Sequence, residues 1–363
     1  MKVKIICLVL SFIIAFSGNS IVYAKKDDVK LNCHAAVVID QYSKRVLYGK
    51  NHNKILAMAS TTKIITAIVA IENSPLTDKV TISKKAASVN GSSAGLKEGE
   101  VVTLEELVYG LMMKSGNDAA VAIAEHVGGG SVENFIALMN KKVVDIGLFD
   151  THFVTPHGLD ASGHETTAKD LAIATAYALK NPVFQRVSSC REIVSGESGE
   201  FNRGYNNINK FLFKVKDADG VKTGYTGNAG KCLVASIKHP HGRYIAVTLN
   251  SGDRWRDCEN LVNYARDNFT HVKIPTSSIK IPSSKVLSSK TRNITPCLKS
   301  DIYFPVRKGE ENKITITNNI SSKLTSPIKK GEVVGNISIE IDGRVESFYP
   351  LLSCDDITHK IYK

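Results

Sequence analysis

Two sets of strand-forming residues bracket a long helix-rich stretch, and that arrangement limits the fold of this chain more than any other feature. Ala35 to Asp40 and Arg45 to Tyr48 read as a hairpin near the start. Gly220 to Thr226, Lys231 to Lys238 and Arg243 to Asn250 read as three successive strands, with turns at Asn228-Ala229-Gly230 and His239-Pro240-His241-Gly242. Between the two sets the apolar residues recur at helical spacing over Thr61–Glu72, Leu104–Met113, Asp118–Val127, Ser131 to about Ile146, and Thr167–Lys180. Thr103 followed by Glu106 has the form of a capping box, Gly128–Gly130 ends the third helix, and Asn181-Pro182 stops the fifth. Strands at both ends with helices between give an α/β domain: one sheet, with edges drawn from both ends of the segment, packed by helices.

Beyond Phe269 the composition shifts. Residues 272–300 are rich in Ser, Lys, Pro and Thr and lack helical period, as a linker or loosely held first strands would. From Asp301 to the end, alternation returns in Lys313–Thr317 and Ile337–Ile341, with turns at Gly331 and Gly343, so residues 301–363 read as a small all-β domain. At 363 residues the chain has room for one large domain, expected over 25–271, and this smaller one.

The first 24 residues bear on the compartment. Lys2 and Lys4 precede an apolar run from Ile5 to Phe16, and Val22 and Ala24 sit where a signal peptidase would read small residues before a cut at Lys25. The run is short of the roughly 20 apolar residues of a membrane span, so a cleaved export signal is the reading, and the protein is expected outside the cytoplasm, in the wall or at the outer face of the membrane. The net charge of +12 suits a polyanion, but without an Arg-rich helix, zinc-finger spacing or aromatic RNA-binding signature, nucleic acid is not an expected partner. Past Cys7, the six cysteines form no CxxC pair; they are free to pair in an oxidising compartment or to pack as small apolar groups, the latter preferred for Cys232.

Three short elements carry chemistry. Ser60-Thr61-Thr62-Lys63 opens the first helix, and a three-residue spacing puts the Lys63 amine one turn from the Ser60 hydroxyl. A serine becomes a nucleophile when a neighbouring base takes its proton, and lysine is that base once burial or another cation lowers its pKa. A helix start also aims free N–H groups at the reacting centre. Ser115-Gly116-Asn117 lies in a polar turn between two helices, where it can set a hydroxyl and an amide into a cleft or simply cap the following helix. Lys222-Thr223-Gly224, followed by Tyr225, lies in a strand, where a cation and a hydroxyl can hold a carboxylate and the glycine lets an extended peptide come close. Each element alone is commonplace. Their order and settings together match the active-site set of penicillin-recognising serine enzymes.

The surroundings narrow the resemblance. Glu106 to Ala120, Pro156-His157-Gly158-Leu159-Asp160, and Gly220 to Thr226 with Ala229-Gly230 after it resemble the serine-type D-alanyl-D-alanine carboxypeptidases, the low-molecular-mass penicillin-binding proteins, over roughly residues 30 to 270 and more weakly to 363. The resemblance implies a penicillin-binding transpeptidase/β-lactamase-like domain and hydrolysis of the terminal D-alanyl-D-alanine bond of peptidoglycan stem pentapeptides. It implies Ser60 as acyl-enzyme nucleophile, Lys63 as proton acceptor, and Ser115 and Asn117 as proton-handling and positioning groups. Lys222, Thr223 and Gly224 would hold the terminal carboxylate and the substrate strand. The N–H groups of Ser60 and Tyr225 would form the oxyanion hole. No cofactor or metal is implied, the expected partners are the stem peptide and β-lactam inhibitors, and a role in wall synthesis and cell shape follows. The end of the chain, from Ser353, is too short and too poorly patterned for the amphipathic helix that often ends such proteins, so membrane attachment is not expected.

Three competitors share some of these features. A β-lactamase commonly has an aspartate where Gly116 stands and a Glu-x-x-Leu-Asn loop, which is lacking between Asn117 and Lys222. A zinc carboxypeptidase would use ligands such as His157, Asp160, His164 and Asp170. A penicillin-sensing or wall-binding homologue would keep the cleft without turnover.

Overall fold

The structure, a computed structural model, describes residues 29–196, 201–289 and 293–359. The expected export segment 1–24, with Cys7, and the last residues from Lys360 lie outside the described residues. Strands β1 (Cys33–Asp40) and β2 (Val46–Lys50) form the early hairpin. Six main helices follow: α1 (Lys63–Asn73), α2 (Leu104–Met113), α3 (Asn117–Val127), α4 (Val132–Asp145), α5 (Ala168–Ala178) and α6 (Pro182–Ser189). Strands β3 (Ala218–Thr226), β4 (Gly230–His239) and β5 (Gly242–Ser251) complete an antiparallel sheet of order β2-β1-β5-β4-β3. The edges therefore come from opposite ends of the segment, as expected, and β3 is one of them.

Residue alternation explains why the inner strands are nearly all apolar. Ala35, Val37 and Ile39 of β1 face the helix cluster, together with Val234 of β4 and Ile245, Val247 and Leu249 of β5. Ala36, Val38, Leu233, Ala235 and Ala246 face the opposite way, against α7 (Arg254–Asn268). Both faces are buried, so most positions are apolar whichever way they point, with Ser236 and Thr248 the buried polar exceptions at the middle of β4 and β5. Helix α7 and helix α6 were not expected from the sequence. Cys258, Leu261, Val262 and Ala265 do repeat at helical spacing, but so many charged and polar residues separate them that the narrow stripe is easily passed over. Asn181-Pro182 ends α5 as read, yet the same pair starts α6: Asn181 accepts from the N–H groups of Val183 and Phe184, and Pro182 occupies the first turn, where its missing N–H costs nothing.

The capping box at α2 is half realised. Thr103 accepts from the Glu106 N–H at 3.1 Å. The Glu106 carboxylate does not reach back; it is fully buried and accepts instead from the Asn202 N–H and from Arg203, both at 2.9 Å.

Past α7, β6 (Thr270–Ile274) pairs with β7 (Ile302–Val306), and β8 (Ile314–Ile320), β9 (Val333–Ile341) and β10 (Arg344–Leu352) form a meander of order β8-β9-β10. Phe304, Ile337, Ile339 and Leu351 are the centre of its core. A short strand, Ser284–Leu287, lies within the stretch read as linker or first strands. Cys297 and Cys354 are disulfide-bonded, whereas Cys33, Cys232 and Cys258 are buried free thiols.

The β-rich region packs on the β1–β2 end of the sheet through Arg45. Its guanidinium, almost fully buried, donates to the Pro305 carbonyl at 2.6 Å, to Glu310 at 2.9 and 3.1 Å and to Glu346 at 3.2 Å. The rings of Phe269 and Phe304 lie 5.5 and 5.4 Å from it. The Ser347 hydroxyl donates to the Ser43 carbonyl at 2.6 Å.

Candidate active site

Ser60 lies in a single 3-10 turn, Ala59–Thr62, that runs straight into α1. The turn is held by its own threonines: the Thr61 hydroxyl donates to the Met58 carbonyl at 2.6 Å, and that of Thr62 to the Ala59 carbonyl at 2.8 Å. Lys63 is the first residue of α1 and has no exposed surface. Its Nζ lies 2.8 Å from Ser60 Oγ, 2.8 Å from Asn117 Oδ1 and 2.7 Å from the His157 carbonyl. The Asn117 amide donates from Nδ2 to the Asn90 carbonyl at 2.6 Å, and that bond fixes which way the amide faces. Burial, and then the charge of Lys222, hold the Lys63 amine well below the usual lysine range, against the opposing pull of Asp118.

Asp118 shapes the wall beside Asn117. Its buried carboxylate accepts from the Ser93 hydroxyl at 2.5 Å and from the N–H groups of Ala94 at 2.8 Å, Gly95 at 3.0 Å and Leu96 at 3.1 Å. Ser115 occupies the turn between α2 and α3 at φ +60°, a left-handed conformation unusual for a side-chain-bearing residue. It is nearly buried, and its hydroxyl makes no hydrogen bond among the described residues.

The third element lies on the edge strand β3. Lys222 is buried and donates to the Thr223 carbonyl at 2.9 Å. Burial first, then the positive charge of Arg254, pull its amine down to about 7. Gly224 abuts the serine turn: a Cβ there would lie 3.0 Å from the Ser60 nitrogen and 3.0 Å from the Ala59 Cβ. Thr223 is mostly buried, whereas Tyr225 is well exposed and lines an open concavity with Lys231, Arg254 and Trp255. Ser60, Lys63 and Asn117 are thus joined by direct hydrogen bonds through Lys63, Gly224 packs on them, and Lys222 acts on Lys63 through its charge. Ser115 reaches none of these groups by a hydrogen bond.

Several participants lie outside the three polar elements. The main-chain carbonyl of His157 faces both Lys63 Nζ and, at 3.4 Å, Ser60 Oγ. Gly158 follows at φ +86°, where an added Cβ would sit 2.0 Å from the Ala59 carbonyl oxygen. Asp160 accepts from the Thr226 hydroxyl at 2.6 Å and the Asn228 N–H at 3.2 Å, tying this loop to the end of β3. Arg254 donates to the Gly224 carbonyl at 2.7 Å from the first turn of α7. Main-chain contacts of this kind leave at most a glycine or a proline behind in the sequence.

The four residues considered as zinc ligands are committed elsewhere. His164 contacts the Thr62 hydroxyl at 2.8 Å through Nε2 and accepts from the Val154 N–H at 2.9 Å through Nδ1. Asp170 holds the Thr151 hydroxyl at 2.9 Å, and Asp160 is tied to β3. Among the described residues they form no cluster able to hold a metal. Burial first, helped by the charge of Lys63, lowers His157 to about 4, and burial with His152 lowers His164 to about 4. Among the described residues no helix is long and apolar enough to cross a membrane.

The sequence profile of the D-alanyl-D-alanine carboxypeptidase family matches residues 22–253, and that of the penicillin-binding protein 5 C-terminal domain matches residues 269–359. The chain is 32% identical over 349 residues to a D-alanyl-D-alanine carboxypeptidase, DacF, of Bacillus subtilis, covering 92% of this chain and 90% of that one. Among solved structures it is similar to penicillin-binding protein 5 from Haemophilus influenzae, with a TM-score of 0.71 and 28% identity over 91% of this chain and 98% of that one. It is also similar to a mutant of the Streptomyces K15 DD-transpeptidase, with a TM-score of 0.61 and 31% identity over 65% of this chain and 98% of that one.

Proposed function

The chain belongs to the D-alanyl-D-alanine carboxypeptidase family and is a serine-type D,D-carboxypeptidase, and from that premise we propose that Ser60 attacks the carbonyl between the two terminal D-alanines of a peptidoglycan stem peptide, with Lys63 as its base. The observation that carries this reading is the contact of the buried Lys63 Nζ with Ser60 Oγ at 2.8 Å. Asn117 Oδ1 and the His157 carbonyl can only accept. A protonated amine donates to all three oxygens; the neutral amine keeps two N–H bonds for those two acceptors and turns its lone pair to Ser60 Oγ, 2.8 Å away, so that in this form the hydroxyl donates to it. Burial and the nearby Lys222 favour that neutral form.

In the first step Ser60 Oγ bonds to the carbonyl carbon as its proton passes to Lys63 Nζ. The oxyanion lies between the N–H groups of Ser60 and Tyr225, an assignment supported by the packing of Gly224 on the Ser60 nitrogen. The C–N bond then breaks, and the departing D-alanine takes a proton from the lysine side, relayed by the Ser115 hydroxyl. Water, deprotonated by the same base, cleaves the ester and regenerates Ser60. Asn117 positions Lys63, while Lys222 and Thr223 receive the terminal carboxylate on β3. The edge position of β3 suits an extended peptide lying alongside it. A β-lactam acylates Ser60 by the same attack, and its retained leaving group stalls the ester.

Action on peptidoglycan places the work outside the cytoplasm, and residues 1–24 are assigned as the export signal. Residues 25–271 are assigned the catalysis, with 272–300 joining them to the β domain 301–363.

The test is intact-mass spectrometry after benzylpenicillin treatment, comparing the native chain with Ser60→Ala, followed by D-alanine release from a stem-peptide analogue. A mass gain of one penicillin on the native chain alone, with D-alanine release lost in the variant, is expected. Equal labelling of both proteins, or labelling of neither, overturns the assignment of Ser60.

A further inference from the structure

Away from the serine cleft, three ligand-bearing side chains from three distant segments converge at the joint with the β-rich region. Asp40 ends β1, His239 ends β4, and His271 lies in β6. One carboxylate oxygen, Asp40 Oδ2, lies 3.1 Å from His271 Nε2 and 3.6 Å from His239 Nε2. Candidate ligand atoms of all three residues fall within 4.8 Å of one another. The two imidazoles stack, with centroids 4.5 Å apart and 29° between planes, and each brings its Nε2 to Asp40 Oδ2. A tetrahedral zinc with bonds of about 2.0–2.1 Å sets its ligand atoms about 3.3 Å apart, close to these separations.

The burial of the trio needs an explanation. The side chains of Asp40, His271 and His239 are 1, 5 and 9% exposed. A buried carboxylate is costly without compensation. Asp40 Oδ1 is satisfied, accepting from the Ser43 N–H at 2.8 Å and hydroxyl at 2.7 Å. Oδ2 is left to the imidazoles. His239 Nε2 has no hydrogen-bond partner among the described residues although it is buried and directed at that oxygen. The Ser43 bonds are what an outer shell does for a metal-binding carboxylate: they fix its plane and leave one oxygen forward.

We propose that Asp40, His239 and His271 form a divalent transition-metal site, with zinc as the ion it fits, that fastens the β-rich C-terminal region to the end of the catalytic sheet. Two imidazoles and one carboxylate are a ligand set of the zinc type, and they exclude magnesium and calcium, which prefer oxygen. Ligation has one local cost. The His241 N–H donates to His239 Nδ1 at 3.2 Å; binding through Nε2 moves the ring's proton to Nδ1, so this contact in the Pro240 turn opens. His241 itself stacks on Tyr303 at 4.3 Å and stays outside the trio.

The experiment is a calorimetric zinc titration of the full chain without an affinity histidine tag, beside His239→Phe and His271→Gln, with melting curves and a cobalt-loaded spectrum. Expected for the native chain are one zinc equivalent, a melting temperature that climbs with zinc concentration and falls back with EDTA, and a cobalt spectrum free of a thiolate charge-transfer band. Each variant loses affinity by more than the roughly 10–100-fold that removal of an outer-shell partner costs, while its rate of acylation by penicillin is unchanged. Should one variant fail to acylate, and so fail as a folded control, the other decides. No uptake by the native chain, native affinity in a folded variant, or a thiolate band each overturns the site.

Discussion

At the residue scale, the proposed mechanism gives two lysines opposite duties, and from these a pH response is expected. In the proposed mechanism Lys63 acts when neutral, a form favoured by its burial and then by the charge of Lys222. Lys222, proposed to hold the substrate carboxylate when protonated, has its pKa near 7, so it is charged below that pH and loses its charge above it. For a peptide ending in a free carboxylate, kcat/KM is therefore expected to rise with pH through Lys63 and to fall above about 7 through Lys222. Bound carboxylate stabilises the Lys222 cation, so the falling limb of kcat lies at higher pH than that of kcat/KM. The same peptide with a C-terminal amide is expected to be a poor substrate whose kcat/KM lacks the falling limb; pH–rate profiles of the pair check this. Gly158 gives a steric counterpart. With the Ala59 carbonyl 2.0 Å from a Cβ and φ at +86°, Gly158→Ala displaces the serine turn. It is expected to slow penicillin acylation at least about 100-fold, in line with the cost of misplacing a reacting group by about 1 Å, which stopped-flow acylation measures.

At the element scale, the site is a meeting of starts and ends: the first residue of α1, the turn between α2 and α3, and the edge strand β3. Of the helices that meet there, α2 is the one with a side-chain cap at its start. Thr103→Ala removes the hydroxyl that accepts from the Glu106 N–H and is expected to cost about 1 kcal/mol in urea unfolding. Acylation is expected to stay near native, because the far end of α2 is anchored separately by the bond from the Gly116 N–H to the Gly110 carbonyl at 3.2 Å. The helices were readable where an apolar stripe and a cap coincided, as at α2, α4 and α5. Helices α6 and α7 are not legible in this way, because Asn181 serves two helices at once and because the inward stripe of α7 is narrow and set among charged and polar residues.

At the scale of the whole molecule, the Arg45 contacts and the Cys297–Cys354 bridge hold the C-terminal region together and against the sheet. The bridge closes a loop of sequence separation 57, for which the chain-entropy model gives about 4 kcal/mol. Replacing both cysteines with serine is expected to lower the melting temperature of the β-rich region while leaving the rate of penicillin acylation unchanged. Calorimetry alongside acylation separates the two effects.

The sequence by itself determined the sheet with edges from both ends, the β-rich tail, and the three polar elements whose residue types name their chemistry. Those features are local: a period, a cap, a hydroxyl one helical turn from an amine. Tertiary structure alone decided that the His157 carbonyl completes the ligands of Lys63, that Glu106 turns to Arg203 rather than closing its box, and that Asp40 meets His239 and His271. A main-chain oxygen has no letter of its own, and a contact between residues 200 positions apart depends on where several elements pack, which no single stretch of the sequence encodes.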